Sequence, residues 1–339
     1  MSTSDGSRPY ATDEPATDEP AKAVLVTGAT TPLGRTLVES LLDDPAVSRV
    51  LAVGVERREA CGLPVEREGL AYLQADLTRA REVRDLLYGP ARELGARVIV
   101  HSPLHRSPHD RGRRVHAMNV ETTRALLHLA EHHPTLRRLV FRSHCEIYAL
   151  RADQPTVFGE DQPIDFSPRA PQWLRDRVEA DLTVCARMGL AQLEIVVVRA
   201  AECVGPDIGS QLHDYLRSQV CLRPWGYDPM INAISVEDLV EALRLAVHSH
   251  AQGVFNVAGA DTLPLSAVIR AAGRVDVPLP GPLLSPLYRA RQLTRGTSFR
   301  YDLNAWRFHF SGVPDDRRAR EVLGYEARWP IDWKSVPRL

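Results

Sequence analysis

The chain has 339 residues, 44% of them apolar and 25% charged, with 42 basic against 43 acidic side chains. That balance belongs to a globular protein and excludes a fibrous or wholly disordered chain. A net charge of −1 offers no global field for nucleic acid or an anionic membrane surface. No apolar run approaches the ~20 residues of a membrane helix, so no membrane span is expected. The opening MSTSDGSRPY carries no basic-then-apolar signal pattern. The five cysteines (Cys61, Cys145, Cys185, Cys203, Cys221) are scattered and never in CxxC spacing. A reducing, cytoplasmic compartment fits them best.

Residues 1–20 are acidic and repeat Ala-Thr-Asp-Glu-Pro. Such a segment buries too little apolar area to offset its ordering entropy, so it reads as a disordered tail. From residue 23 strands and helices alternate. Short apolar runs predict strands over 23–27, 50–53, 70–74, 98–101, 138–143 and 194–199. Apolar residues at helical spacing predict helices over 33–42, 81–87, 112–132 and 171–188. Regular β-α alternation with continuously apolar strands implies an α/β fold, a doubly wound parallel sheet of Rossmann type covered on both faces. Residues 21–205 form this unit, whose core extends to elements near 230–260. Residues 206–339 read mainly as a smaller, substrate-side α/β lobe. Helices are expected near 236–248 and 265–272, and none over the proline-rich 276–286.

The first strand runs into Thr27-Gly28-Ala29-Thr30-Thr31-Pro32-Leu33-Gly34 and then a helix. This is the context in which a glycine-rich turn and a helix N-terminus hold a pyrophosphate. Gly28 permits the turn and Gly34 close helix–sheet packing. The middle glycine is Thr31, and Pro32 removes one N–H donor. Thr30 or Thr31 offers a hydroxyl in exchange. After the second strand, Glu56 suits the ribose hydroxyls of NAD, whereas Arg57 and Arg58 suit the 2′-phosphate of NADP. NAD is the favoured cofactor; the turn alone is also compatible with no ligand. Asp76-Leu77 would sit beside an adenine, or Asp76 would cap a helix.

With these motifs in place, the chain resembles the extended short-chain dehydrogenase/reductases, the NAD-dependent epimerase/dehydratase family. TGATTPLG is similar to the family's TGxxGxxG, and Asn119-Val120-Glu121-Thr122-Thr123 to its NVxGT. LVFRSHCEIYA (139–149) is similar to SSxxVYG, VVVRAAECVGP (196–206) to LRxxNVYGP, and INAISVEDLVEAL (231–243) to FIHVDDxAxA. The resemblance adds Leu33, Ser102 and Pro103 of VIVHSPL, Arg142 and Arg177 to the cofactor contacts. It also implies a homodimer through the helices near 112–132 and 171–188. Leu126, Leu129, Leu174, Val178 and Leu182 are the candidate patch.

The family's chemistry rests on a Tyr-x-x-x-Lys pair and a Ser or Thr. Its lysine lowers the tyrosine pKa, so that the phenol exchanges a proton while nicotinamide exchanges a hydride. Here those positions are Trp173, Arg177 and His144. Trp173 has no acid–base group near neutrality, and Arg177 keeps its proton. His144 is of a residue type whose ordinary pKa, about 6.5, allows proton exchange near neutrality. Three readings stand: a catalytically silent nucleotide-binding or regulatory protein, an enzyme with a rearranged site using His144, Tyr148, Glu202 or Cys203, or a fold kept for protein contacts. Cys145 reads as a small buried residue. The spacing of His101, His105 and His109 suggests a metal only on a helix, which Pro103 and Pro108 break, so no metal is expected. Arg106, Arg111, Arg113 and Arg114 either hold an anionic small molecule or form an exposed basic helix start. Trp225, Trp306, Trp329 and Trp333 are expected to pack the second lobe.

Overall fold

A computed structural model describes residues 21–102, 112–168, 170–295, 297 and 299–338. Seven strands build one parallel sheet: β1 (Lys22–Thr27), β2 (Val47–Gly54), β3 (Leu70–Gln74), β4 (Val98–His101), β5 (Arg138–His144), β6 (Glu194–Ala200) and β7 (Gly253–Val257). Their spatial order is β7-β6-β5-β4-β1-β2-β3. The chain leaves β1 toward one edge and returns at β4 to build the other half. Open sheets of this kind bind ligands at that reversal, beyond the carboxyl ends of the strands.

The central strands carry apolar runs without alternation because both faces are covered. Side chains still alternate, so each strand feeds two cores. Val24 and Val26 join one, with Leu33, Leu37 and Leu41 of α1 (Pro32–Leu42). Leu25 joins the other, with residues of α2 (Ala80–Leu86), α3 (Thr122–Glu131) and α4 (Gln172–Cys185). Helix α5 (Val236–His248) covers the first face beside α1. It comes from the second half of the chain, as does β7. Near the C-terminus, Ala319, Leu323 and Tyr325 return to the same core. A third core, in the second lobe, is aromatic: the Tyr215 ring lies 5.1 Å from Phe299 and 5.0 Å from Phe308.

Two expectations need correction. Residues 276–286 are not irregular: Val275–Leu279 is a strand paired with Val220–Pro224, and Gly281–Arg295 is a helix. Pro282 sits in its first turn, where an N–H has no intrahelical partner anyway. Burial of Leu284 and Tyr288 offsets the ladder bond lost at Pro286. Trp225 and Trp329 do not pack the lobe; they are 74% and 42% exposed, whereas Trp333 is buried. Of the candidate dimer patch, Leu126, Leu174 and Val178 are buried within the chain's own cores. Residues 1–20, with the tail reading, lie outside the described residues, as do Pro103, His105, Arg106, His109 and Arg111. Among the described residues no helix is long and apolar enough to cross a membrane.

Candidate functional site

The crevice at the β1–β4 reversal opens into a cavity of about 280 Å3, lined by the glycine turn, the ends of β2 and β3, and Arg114, Met118 and Thr122. Its floor is a hydrogen-bonded staple. The Thr27 hydroxyl and His101 Nδ1 are 2.8 Å apart, and His101 Nε2 is 3.0 Å from the Thr123 hydroxyl. Thr123 gives its proton to the Asn119 carbonyl, so His101 Nε2 donates and Nδ1 accepts from Thr27. Complete burial pulls the His101 pKa down to about 3, and the ring is neutral. His101 is therefore a structural link between strand ends.

The turn is tight. Gly28 has φ +68°, and a Cβ there would meet the Ser102 carbonyl at 3.0 Å; at Gly34 it would lie 2.2 Å from the Gly28 carbonyl. Both positions need glycine. Thr31 replaces the middle glycine without strain, at φ −75°, by acting as the helix N-cap. Its hydroxyl accepts from Gly34 N at 3.0 Å and donates to the Gly28 carbonyl at 2.9 Å. That hydroxyl is spent inside the turn, contrary to the expectation that it faces a ligand. The Thr30 hydroxyl donates to Glu56 at 2.5 Å. Tyr72 fixes the Glu56 carbonyl from the third strand.

Of the residues read as cofactor contacts, Gly28, Thr30, Thr31, Asp76, Leu77 and Ser102 line the cavity together. Glu56 reaches it through Thr30. Leu33 is buried in the core, so only its backbone can face the turn. Pro32 offers no N–H and does not line the cavity. Arg57 is exposed and starts a short 3-10 helix. Asp76 does not cap α2, whose N-cap is Arg79. It accepts from the Thr78 hydroxyl at 2.6 Å and from Thr78 N. These bonds, against the cost of burial and with help from Arg114 and Arg79, hold its carboxyl below the usual range.

The catalytic positions form a different environment. His144, Arg142, Arg177 and Asn119 surround a void of only about 10 Å3. Arg177 is ion-paired with Glu146, and its guanidinium lies 4.8 Å over the Trp173 ring. Arg307 donates to the other Glu146 oxygen at 2.9 Å and pairs with Glu202. Glu202 also accepts from Ser210 Oγ and Leu212 N, each at 2.9 Å. Burial pushes its carboxyl up, but Arg307 and these bonds outweigh it and hold the pKa low. Glu202 is thus a clamp joining β6's exit to the second lobe, not an available acid.

Tyr148 is also committed. It donates to Asn256 Oδ1 at 2.8 Å and accepts from Arg199 at 2.8 Å. Arg199 grips Asp181 through two bonds, of 3.0 and 2.5 Å, and Ser143 donates to the same carboxylate. Burial raises the Tyr148 phenol well above its ordinary value and the Cys203 thiol to about 12. Neither is a nucleophile near neutrality. Sequence reasoning missed Arg307 and the cavity residues Thr78 and Met118, whereas Arg114, read as one of four arginines that could hold an anion, does line the cavity. Arg307 had no local signal.

A model of the NAD dependent epimerase/dehydratase family matches residues 24–258, and the chain belongs to that family. An uncharacterized protein of Mycobacterium tuberculosis is 27% identical over 313 residues, covering 91% of this chain and 81% of that protein. Among solved structures, dTDP-glucose 4,6-dehydratase from Bacillus anthracis, in complex with NAD, superposes with a TM-score of 0.68 at 16% identity over 93% of this chain and 96% of its own. UDP-glucuronic acid 4-epimerase from Bacillus cereus, also with NAD, gives 0.66 at 14% identity over 93% and 94%. At these identities the likeness establishes the fold.

Proposed function

We propose that this chain binds an NAD-type nucleotide by its adenosine half in the β1–β4 crevice and does not use it as a hydride carrier. It is a pseudoenzyme of its family, acting as a sensor or regulatory protein. The observation that carries this reading is the pairing of Arg177, at the family's lysine position, with Glu146 beside Trp173. A guanidinium cannot shuttle a proton, and an indole has none to exchange near neutrality.

The residues present fit one half of such a cofactor. Gly28, the start of α1, Asp76 and Leu77 suit an adenosine diphosphate moiety. Glu56, beside Thr30, favours ribose hydroxyls and hence NAD over NADP. The other half does not fit, because a void of about 10 Å3 admits roughly one water. A homodimer through α3 and α4 is part of the proposal; Leu129 and Leu182, only partly buried, are what remains of its apolar patch. The test is incubation of the chain with NAD+ and a panel of nucleotide sugars, read by nicotinamide absorbance and by NMR of the sugar. No turnover is expected. Epimerised, dehydrated or oxidised sugar overturns the reading.

A further inference from the structure

We infer that the closed end of the crevice takes an anionic group, so that the nucleotide ligand of this chain ends in a free phosphate rather than in nicotinamide. The inference rests on the proposal that an adenine nucleotide occupies the crevice, and it deepens that proposal.

Arg142 carries the argument. It is 3% exposed, and among the described residues it forms no ion pair. Among the described residues its one hydrogen bond is from a terminal nitrogen to the Ser102 hydroxyl at 3.3 Å, and its Nε has no partner there. The neighbouring acids are already used: Glu146 serves Arg177 and Arg307, and Glu202 serves Arg307. Among the described residues, the buried Arg142 and the largely buried Arg177 and Arg307 face two carboxylates, which leaves one positive charge uncompensated. A buried charge without a partner is costly. Asn119 Nδ2, on the same void, is likewise buried and unpartnered. Among the described residues both orphaned atoms at this void are therefore donors, which is the chemistry of an anion site.

The position suits the end of a nucleotide. Ser102 lines the open cavity beside Gly28 and touches Arg142 on its other side. A diphosphate on the glycine turn would reach Ser102 with the guanidinium directly behind it. A void this small admits one oxygen atom of a larger group, whereas an aromatic amide ring would be excluded.

The test is calorimetric titration of the full chain with ADP, NAD+ and inorganic phosphate, repeated on Arg142→Met. ADP should bind at least about ten-fold more tightly than NAD+, a difference of about 1.4 kcal/mol. Phosphate alone should bind weakly and compete with ADP. Arg142→Met should bring ADP down to the affinity of NAD+. Because an unpaired buried cation gives way to an apolar chain, the ligand-free variant should melt no lower than the original. NAD+ binding as tightly as ADP, or a ratio unchanged by Arg142→Met, overturns the inference. Phosphate binding as tightly as ADP assigns the pocket to a free anion and overturns the nucleotide assignment. Failure of both ADP and NAD+ to bind overturns the underlying proposal as well. The ADP-to-NAD+ ratio of the unaltered chain decides even if the variant does not fold.

Discussion

Removing the Glu202 carboxylate tests whether the charged lattice holds the two lobes together. In Glu202→Ala, Arg307 keeps only Glu146, which Arg177 also uses. Leu212 N and Ser210 Oγ lose their acceptor at the start of the Gln211–Leu216 helix. Breaking a buried ion pair from one side costs about 3–5 kcal/mol. A stranded buried amide adds about 1 kcal/mol or more. The total is a large share of the ~5–15 kcal/mol that holds a typical protein folded. The assay is urea unfolding followed by circular dichroism. The double variant Glu202→Ala with Arg307→Met is the control and should recover most of the loss, because neither charge is then stranded. A single-variant cost below about 1 kcal/mol, or a double variant no better than the single, would refute the reasoning. The pH dependence has a definite sign. The folded pKa of Glu202 lies below 4.5, so its contribution is present above that value. It is lost as pH falls through the lower folded pKa.

Other outcomes follow from the same geometry. Gly34→Ala puts a Cβ 2.2 Å from the Gly28 carbonyl; it should cost roughly 1–3 kcal/mol and weaken nucleotide binding, read by thermal melting with and without ligand. Glu56→Ala should narrow the preference for NAD+ over NADP+, measured by titrating both; an unchanged ratio would remove Glu56 from ribose recognition. His101 is neutral in the fold, with a pKa of about 3 against an ordinary 6.5. The unfolded chain therefore takes up a proton first, and stability should decline as pH falls from about 6.5 towards 3. His101→Gln should flatten that part of the stability–pH curve, and an unchanged slope would show that another group governs it.

Much of the fold was legible because a sheet covered on both faces leaves a plain trace in sequence. Runs such as Ala23–Val26 and Ile195–Val198 are apolar at every position, and helix 236–248 matches its apolar spacing. The glycine turn was legible too, since Gly28 and Gly34 answer local steric needs. What stayed hidden depends on distant partners. Arg307 meets Glu146 across 161 residues, so nothing local marks either as a clamp, and Glu202 read as a free acid. The hydroxyl of Thr31 read as facing a ligand because a cap and a ligand contact call for the same residue type. The proline-rich 276–286 failed for another reason. Proline preferences are local, and burial of Leu284 and Tyr288 overrode them.

The most direct test of the account is titration of the purified chain with NAD+, NADH, NADP+ and NADPH by calorimetry, with nicotinamide absorbance followed in the same samples. Saturable binding of NAD+ or NADH is expected below about millimolar concentration, with no change in the redox state of the nicotinamide when nucleotide sugars are added. Absence of binding at millimolar ligand, or reduction of NAD+ on adding a sugar nucleotide, would contradict it.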